Sequence, residues 1–97
     1  MWILYGEYEM HVPCVRSLKE KRMIVSSMKD IIPSRFDVIL KECAHHDAHR
    51  TLTLCAVSLS NDKDYLYSLW DQIVVFSEER YDVRVIRDEV SVFQGEV

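Results

Sequence analysis

At 97 residues, with 48% hydrophobic and 29% charged side chains, the chain has room for a single globular domain, residues 1–97, built on one core. A net charge of −4 argues against nonspecific coating of nucleic acid, and no apolar run approaches the ~20 residues that cross a bilayer, so a cytoplasmic protein without a membrane partner is expected. The chain's two glycines leave little material for a phosphate-cradling loop, and Cys14, Cys43 and Cys55 lack metal-ribbon or redox spacing, so reduced, mostly buried thiols and no cofactor are expected.

Residues 2–12 alternate, with Leu4, Gly6, Tyr8, Met10 and Val12 on one side and Tyr5, Glu7, Glu9 and His11 on the other, the pattern of a half-buried strand. Ser17 followed by Glu20 forms a capping box, in which the Ser hydroxyl takes the N3 amide and the Glu carboxylate takes the N-cap amide. A helix starts there. Leu18, Ile24, Val25, Met28, Ile31 and Ile32 form its apolar stripe, and Pro33 is expected to end it. Residues 36–44 and 51–59 read as two strands joined by a polar, His-rich turn. A second helix opens at Ser60-Asn61-Asp62, repeats Leu66, Leu69, Trp70, Ile73, Val74 and Phe76 at helical spacing, and should end near Arg80. Residues 82–93 form a last strand whose parity shifts, which predicts a bulge near Arg87-Asp88-Glu89. The order β-α-β-β-α-β is that of an α+β, ferredoxin-like sandwich, a four-stranded antiparallel sheet with two helices on one face.

In that topology the first and second strands run the same way, so the start of helix one and the His-rich turn share one end of the sheet. Lys21 falls inside the apolar stripe of helix one, and Glu42 shares parity with Val38 and Leu40, which predicts a partly buried Lys21–Glu42 ion pair acting as a structural clamp. His45, His46, Asp47 and His49 are weak candidates for a divalent metal, because no closed four-ligand set is evident. Between residues 16 and 35 the local charge balance is +4, which leaves −8 for the rest of the chain.

The run Ser17-Leu18-Lys19-Glu20-Lys21-Arg22, following an amphipathic strand, resembles the YlxP-like family of small bacterial proteins, which has no established biochemical function. The resemblance implies the same ferredoxin-like architecture and genes that frequently keep company with those of translation and ribosome maturation. It extends to Glu42 and Asp47 in the loop after the second strand, where His49, Arg50 and Thr51 stand in place of the family's Trp, Gln and Arg.

Three functional expectations follow. The first is a non-catalytic RNA- or ribosome-associated factor that uses Arg16, Lys19, Arg22, Lys29 and Arg35 around helix one. The open sheet face does not suit RNA, since its third strand lacks the aromatics of an RNA-recognition motif and Glu7 and Glu9 would repel phosphate. The second is a homodimeric interaction module, because Ile39, Cys43, Cys55 and Val57 make the supposedly wet sheet face apolar as well. The third, an acylphosphatase-like hydrolase, has Arg16 beside a helix N-terminus, but the one Asn, Asn61, belongs at the opposite end of the sheet.

Overall fold

A computed structural model describes residues 1–96. Its elements run β1 (Trp2–His11), α1 (Leu18–Arg35), β2 (Ile39–Ala44), β3 (Thr51–Ser60), α2 (Lys63–Arg80) and β4 (Arg84–Gln94). The sheet order is β2-β3-β1-β4 and each neighbouring pair is antiparallel, so the α+β, ferredoxin-like arrangement stands with β1 and β3 at its centre. No helix among the described residues is long and apolar enough to cross a membrane.

The alternation of β1 becomes its two faces. Leu4, Tyr8, Met10 and Val12 are buried under the helices, whereas Tyr5 is exposed on the open face and Glu7 and Glu9 are half-buried there. Trp70 of α2 packs edge-on against Tyr8, with ring centroids 5.3 Å apart. The buried Tyr8 hydroxyl lies 2.8 Å from Ser77 Oγ, which itself donates to the Ile73 carbonyl; Ser77 has one hydrogen to give, so Tyr8 is the donor.

Local departures from the expected boundaries have physical causes. Ser17 caps α1 by accepting from the Glu20 amide, but Glu20 Oε2 accepts from the Arg16 amide at 2.6 Å, one residue upstream of the reciprocal capping-box bond. Pro33 does not end α1. The proline withholds only the N–H that would reach the Lys29 carbonyl, and the last turn closes around it through Phe36 N–H to Ile32 O at 2.9 Å. Strand β2 consequently begins at Ile39 rather than residue 36, with Phe36 serving as the α1 C-cap and packing edge-on against Phe76. The β4 bulge centres on Ile86: Glu9 pairs with Arg87 and Met10 with Val85, so Ile86 is the extra residue. The thiols are free but not mostly buried, since Cys14 and Cys43 are exposed and Cys55 is half-buried.

Candidate functional site

Val12 N–H donates to the Arg50 carbonyl at 2.9 Å, which ties the end of β1 to the turn between β2 and β3 and brings the start of α1 beside them. Lys21 points inward from α1 and is fully buried, with Nζ 3.0 Å from Glu42 Oε2, whose side chain is 16% exposed. Its aligned hydrogen bond goes elsewhere. Nζ donates to the His45 carbonyl at 2.6 Å, while Glu42 Oε2 neutralises the ammonium without an aligned hydrogen bond of its own among the described residues. His45 adopts a left-handed backbone, φ 62°, and its Nδ1 meets Thr53 Oγ1 at 2.8 Å, so the turn folds back over β3 and buries Thr53 completely.

These contacts also define what the His-rich turn can do. His45 is engaged with Thr53, and His46 Nε2 lies 3.1 Å from the Glu42 carbonyl and 4.0 Å from Glu42 Oε1. Asp47 and His49 are exposed. Among the described residues no group of three or more His, Cys, Asp and Glu side chains is placed to hold a metal ion.

The cations of α1 are not equivalent. Arg16, Lys19, Arg22 and Lys29 are exposed, and among the described residues none of them forms an ion pair. Lys19 and Arg22 border a shallow depression shared with Met23, Ser26, Ser27 and Asp30. Arg22 and Lys29, seven residues apart, share the flank of α1 opposite Ser27, whose hydroxyl lies 2.9 Å from that of Tyr81 at the end of α2. Arg35 is separated from this group, with its guanidinium 5.1 Å from the centre of the Phe76 ring.

On the open face Arg87 binds three carboxylates at once: Glu7 at 3.0 Å, Glu9 at 3.3 Å and Glu89 at 3.4 Å. The expected acidity of that face is therefore partly neutralised, although three acids share one guanidinium. The Arg87 contribution depends on the bulge at Ile86, which turns Arg87 onto the face of Glu7 and Glu9. The available signal was two same-side carboxylates on β1 facing a strand with shifted parity. Arg87 first, and the Tyr5 hydroxyl second, hold the Glu7 carboxyl below its ordinary value, while partial burial and the bond to Glu7 push Tyr5 up to about 12. A lowered carboxylate contributes stability above the unfolded value of about 4.3 and loses it as pH falls through the lower folded value. In a carbon-detected NMR titration the Glu7 midpoint should lie below the ordinary range and rise toward it in Arg87→Ala. An unmoved midpoint in that variant would contradict the assignment.

The chain matches the family described as protein of unknown function (DUF503) over residues 3–90. It belongs to the DUF503 family. No curated protein matches the chain. The DUF503 match takes in the Lys21–Glu42 corner, the cations of α1 and the Arg87 cluster, so each of these lies within the family region.

Nucleophilic chemistry has weak support in this DUF503 chain. Cys43 is pushed up to about 12 by partial burial and by the neighbouring Cys55 thiol, and Cys14 is raised by the nearby Asp82 carboxylate, so both favour the thiol form over the reactive thiolate. The acylphosphatase arrangement also lacks its geometry. Trp2 pairs with Ser60 at the start of β1, which puts Asn61 at the end of the sheet away from Arg16.

Proposed function

We propose that this protein is a non-catalytic accessory factor that binds structured RNA, free or within the ribosome, through the phosphate backbone along the outer surface of α1. The observation that carries this reading is the group of exposed cations Arg16, Lys19, Arg22 and Lys29, none with a carboxylate partner among the described residues, on a chain whose net charge is −4. Arg35 sits at the margin of the surface because its guanidinium already lies over Phe76. Lys21 is outside it, being bound inward to Glu42 and the His45 carbonyl. The non-catalytic part is supported by the same inward commitment of Lys21 and by the raised thiols of Cys14 and Cys43.

Contacts of this kind read charge and shape rather than base sequence, so affinity should fall with salt. With three to four phosphates neutralised, binding to a structured RNA should weaken by roughly 40- to 150-fold between about 50 and about 200 mM salt. The triple variant Lys19→Glu, Arg22→Glu, Lys29→Glu should lose binding while keeping its circular dichroism spectrum and unfolding midpoint. Glu7→Lys with Glu9→Lys on the opposite face serves as the control and should change affinity little. Equal affinity of wild type and the triple variant in a fluorescence-anisotropy titration, or no binding by wild type at low salt, would refute the proposal.

A further inference from the structure

The open face of the sheet is divided along the strands. Toward the start of β1 the cross-strand rows are largely apolar: Ile39, Val57 and Tyr5 lie side by side with Ser91 at the β4 edge, and Leu59, Ile3 and Phe93 form the next row. Ile39 is 65% exposed, Leu59 54% and Phe93 48%, on a face that the helices do not touch. An antiparallel sheet with one wet face ordinarily places polar residues at this parity, and a contiguous apolar patch marks an interaction surface.

The next row identifies the occupant. It reads Lys41, Cys55, Glu7, Glu89 from edge to edge, with the cation on β2 and an acid on β4. Arg87 is shared by three carboxylates, so the β1–β4 side stays negative and Lys41 stands across the sheet without an ion-pair partner among the described residues. A two-fold axis parallel to the strands, midway between β1 and β3, lays β2 of one copy over β4 of the other and β3 over β1. The apolar rows then meet each other, with Val57 against Tyr5, Leu59 against Ile3 and Ile39 against the small Ser91 at the edge, and Lys41 meets Glu89 of the second copy twice. An in-plane axis across the strands through the middle of the sheet would set the apolar rows on the charged ones, and one placed between the two apolar rows would match them but cover only that end of the face. The face is about 19 Å wide and about 33 Å long, from strand spacing and rise. That projected area suits the ~800 Å² of accessible surface each partner buries in a stable interface.

We propose that a second copy of this chain packs on the open face about a two-fold axis parallel to the strands, its register set by reciprocal Lys41–Glu89 pairs. Sheet-on-sheet packing at about 10 Å with the usual offset of about −30° accommodates both twists. The proposal uses no residue of α1, so it stands or falls independently of RNA binding.

The test is sedimentation velocity on the full chain across the micromolar range, with circular dichroism confirming the fold of each variant. Wild type should be dimeric and Val57→Asp monomeric. Lys41→Glu alone and Glu89→Lys alone should each weaken the dimer about tenfold, since attraction becomes repulsion at two symmetric rim contacts. The double variant Lys41→Glu, Glu89→Lys should recover most of that loss. A monomeric wild type at high micromolar concentration, or a dimer indifferent to Val57→Asp, overturns the use of this face. A double variant no tighter than the single variants overturns the two-fold.

Discussion

Glu42→Ala should lower the unfolding free energy by about 3 kcal/mol, measured by urea denaturation, because it leaves the fully buried Lys21 ammonium beside a single carbonyl. The loss comes from stranding a charge rather than from deleting an attraction. Lys21→Met removes that charge and strands instead a carboxylate whose side chain is 16% exposed although its Oε2 is buried, so this variant should cost less than Glu42→Ala, about 1–2 kcal/mol. The double variant Lys21→Met, Glu42→Leu should lie within about 1 kcal/mol of wild type, since a well-packed apolar pair replaces a buried ionic one at little net cost. The ordering of the three variants distinguishes the mechanism. If Glu42→Ala costs no more than Lys21→Met, the ammonium must be reaching water along its own aliphatic stem.

The meeting of Lys21 and Glu42 is legible in the sequence because two independent periodicities point to it. A charged residue inside a helical apolar stripe and another on the inward parity of a strand have to meet a partner where topology brings them together. The second contact of Lys21, to the His45 carbonyl, is not legible. It depends on a left-handed backbone at a non-glycine residue, which the Thr53 hydroxyl and Lys21 hold in place only after β3 and α1 have packed. Pro33 misleads for a related reason: near a helix C-terminus the missing N–H costs one bond, and the next turn can close without it. Arg87 is sensitive to a single residue, since placing the bulge at Ile86 instead of beyond Arg87 decides which face of the sheet receives its guanidinium.

The two proposed surfaces are compatible. Both helices cover one face of the sheet, and a second copy on the other face leaves each α1 pointing outward, so a dimer would present two basic surfaces on opposite sides. RNA affinity and self-association should then respond to separate sets of variants: Lys19, Arg22 and Lys29 for the first, and Val57, Lys41 and Glu89 for the second.

Gly6→Ala should destabilise the fold by about 3 kcal/mol, although it lies in a strand where alanine is ordinarily better tolerated than glycine. Two effects oppose each other. Restricting the unfolded chain would favour alanine by about 0.4–1 kcal/mol where the native backbone accepts it. Against that, a Cβ built on Gly6 would fall within the contact shell of the Trp70 indole, 2.6 Å from its Cη2, and real Cβ atoms do not approach that closely. Overpacking of a close-packed core costs ~1–3 kcal/mol and occasionally more, so the steric term wins. Trp70 has little room to retreat, being 2% exposed and set edge-on against Tyr8, whose hydroxyl is fixed on Ser77. Its buried indole N–H has no hydrogen-bond partner among the described residues, so packing holds the ring over the small-residue row that Gly6 and Ala56 form across β1 and β3. An isolated glycine within an alternating strand is the sequence mark of such a close approach. The decisive measurement is a double-mutant cycle with Trp70→Phe, which removes the outer part of the indole. Gly6→Ala should cost at least about 1.5 kcal/mol less in that background than in wild type, and an equal cost in both would mean that something other than the indole requires the glycine.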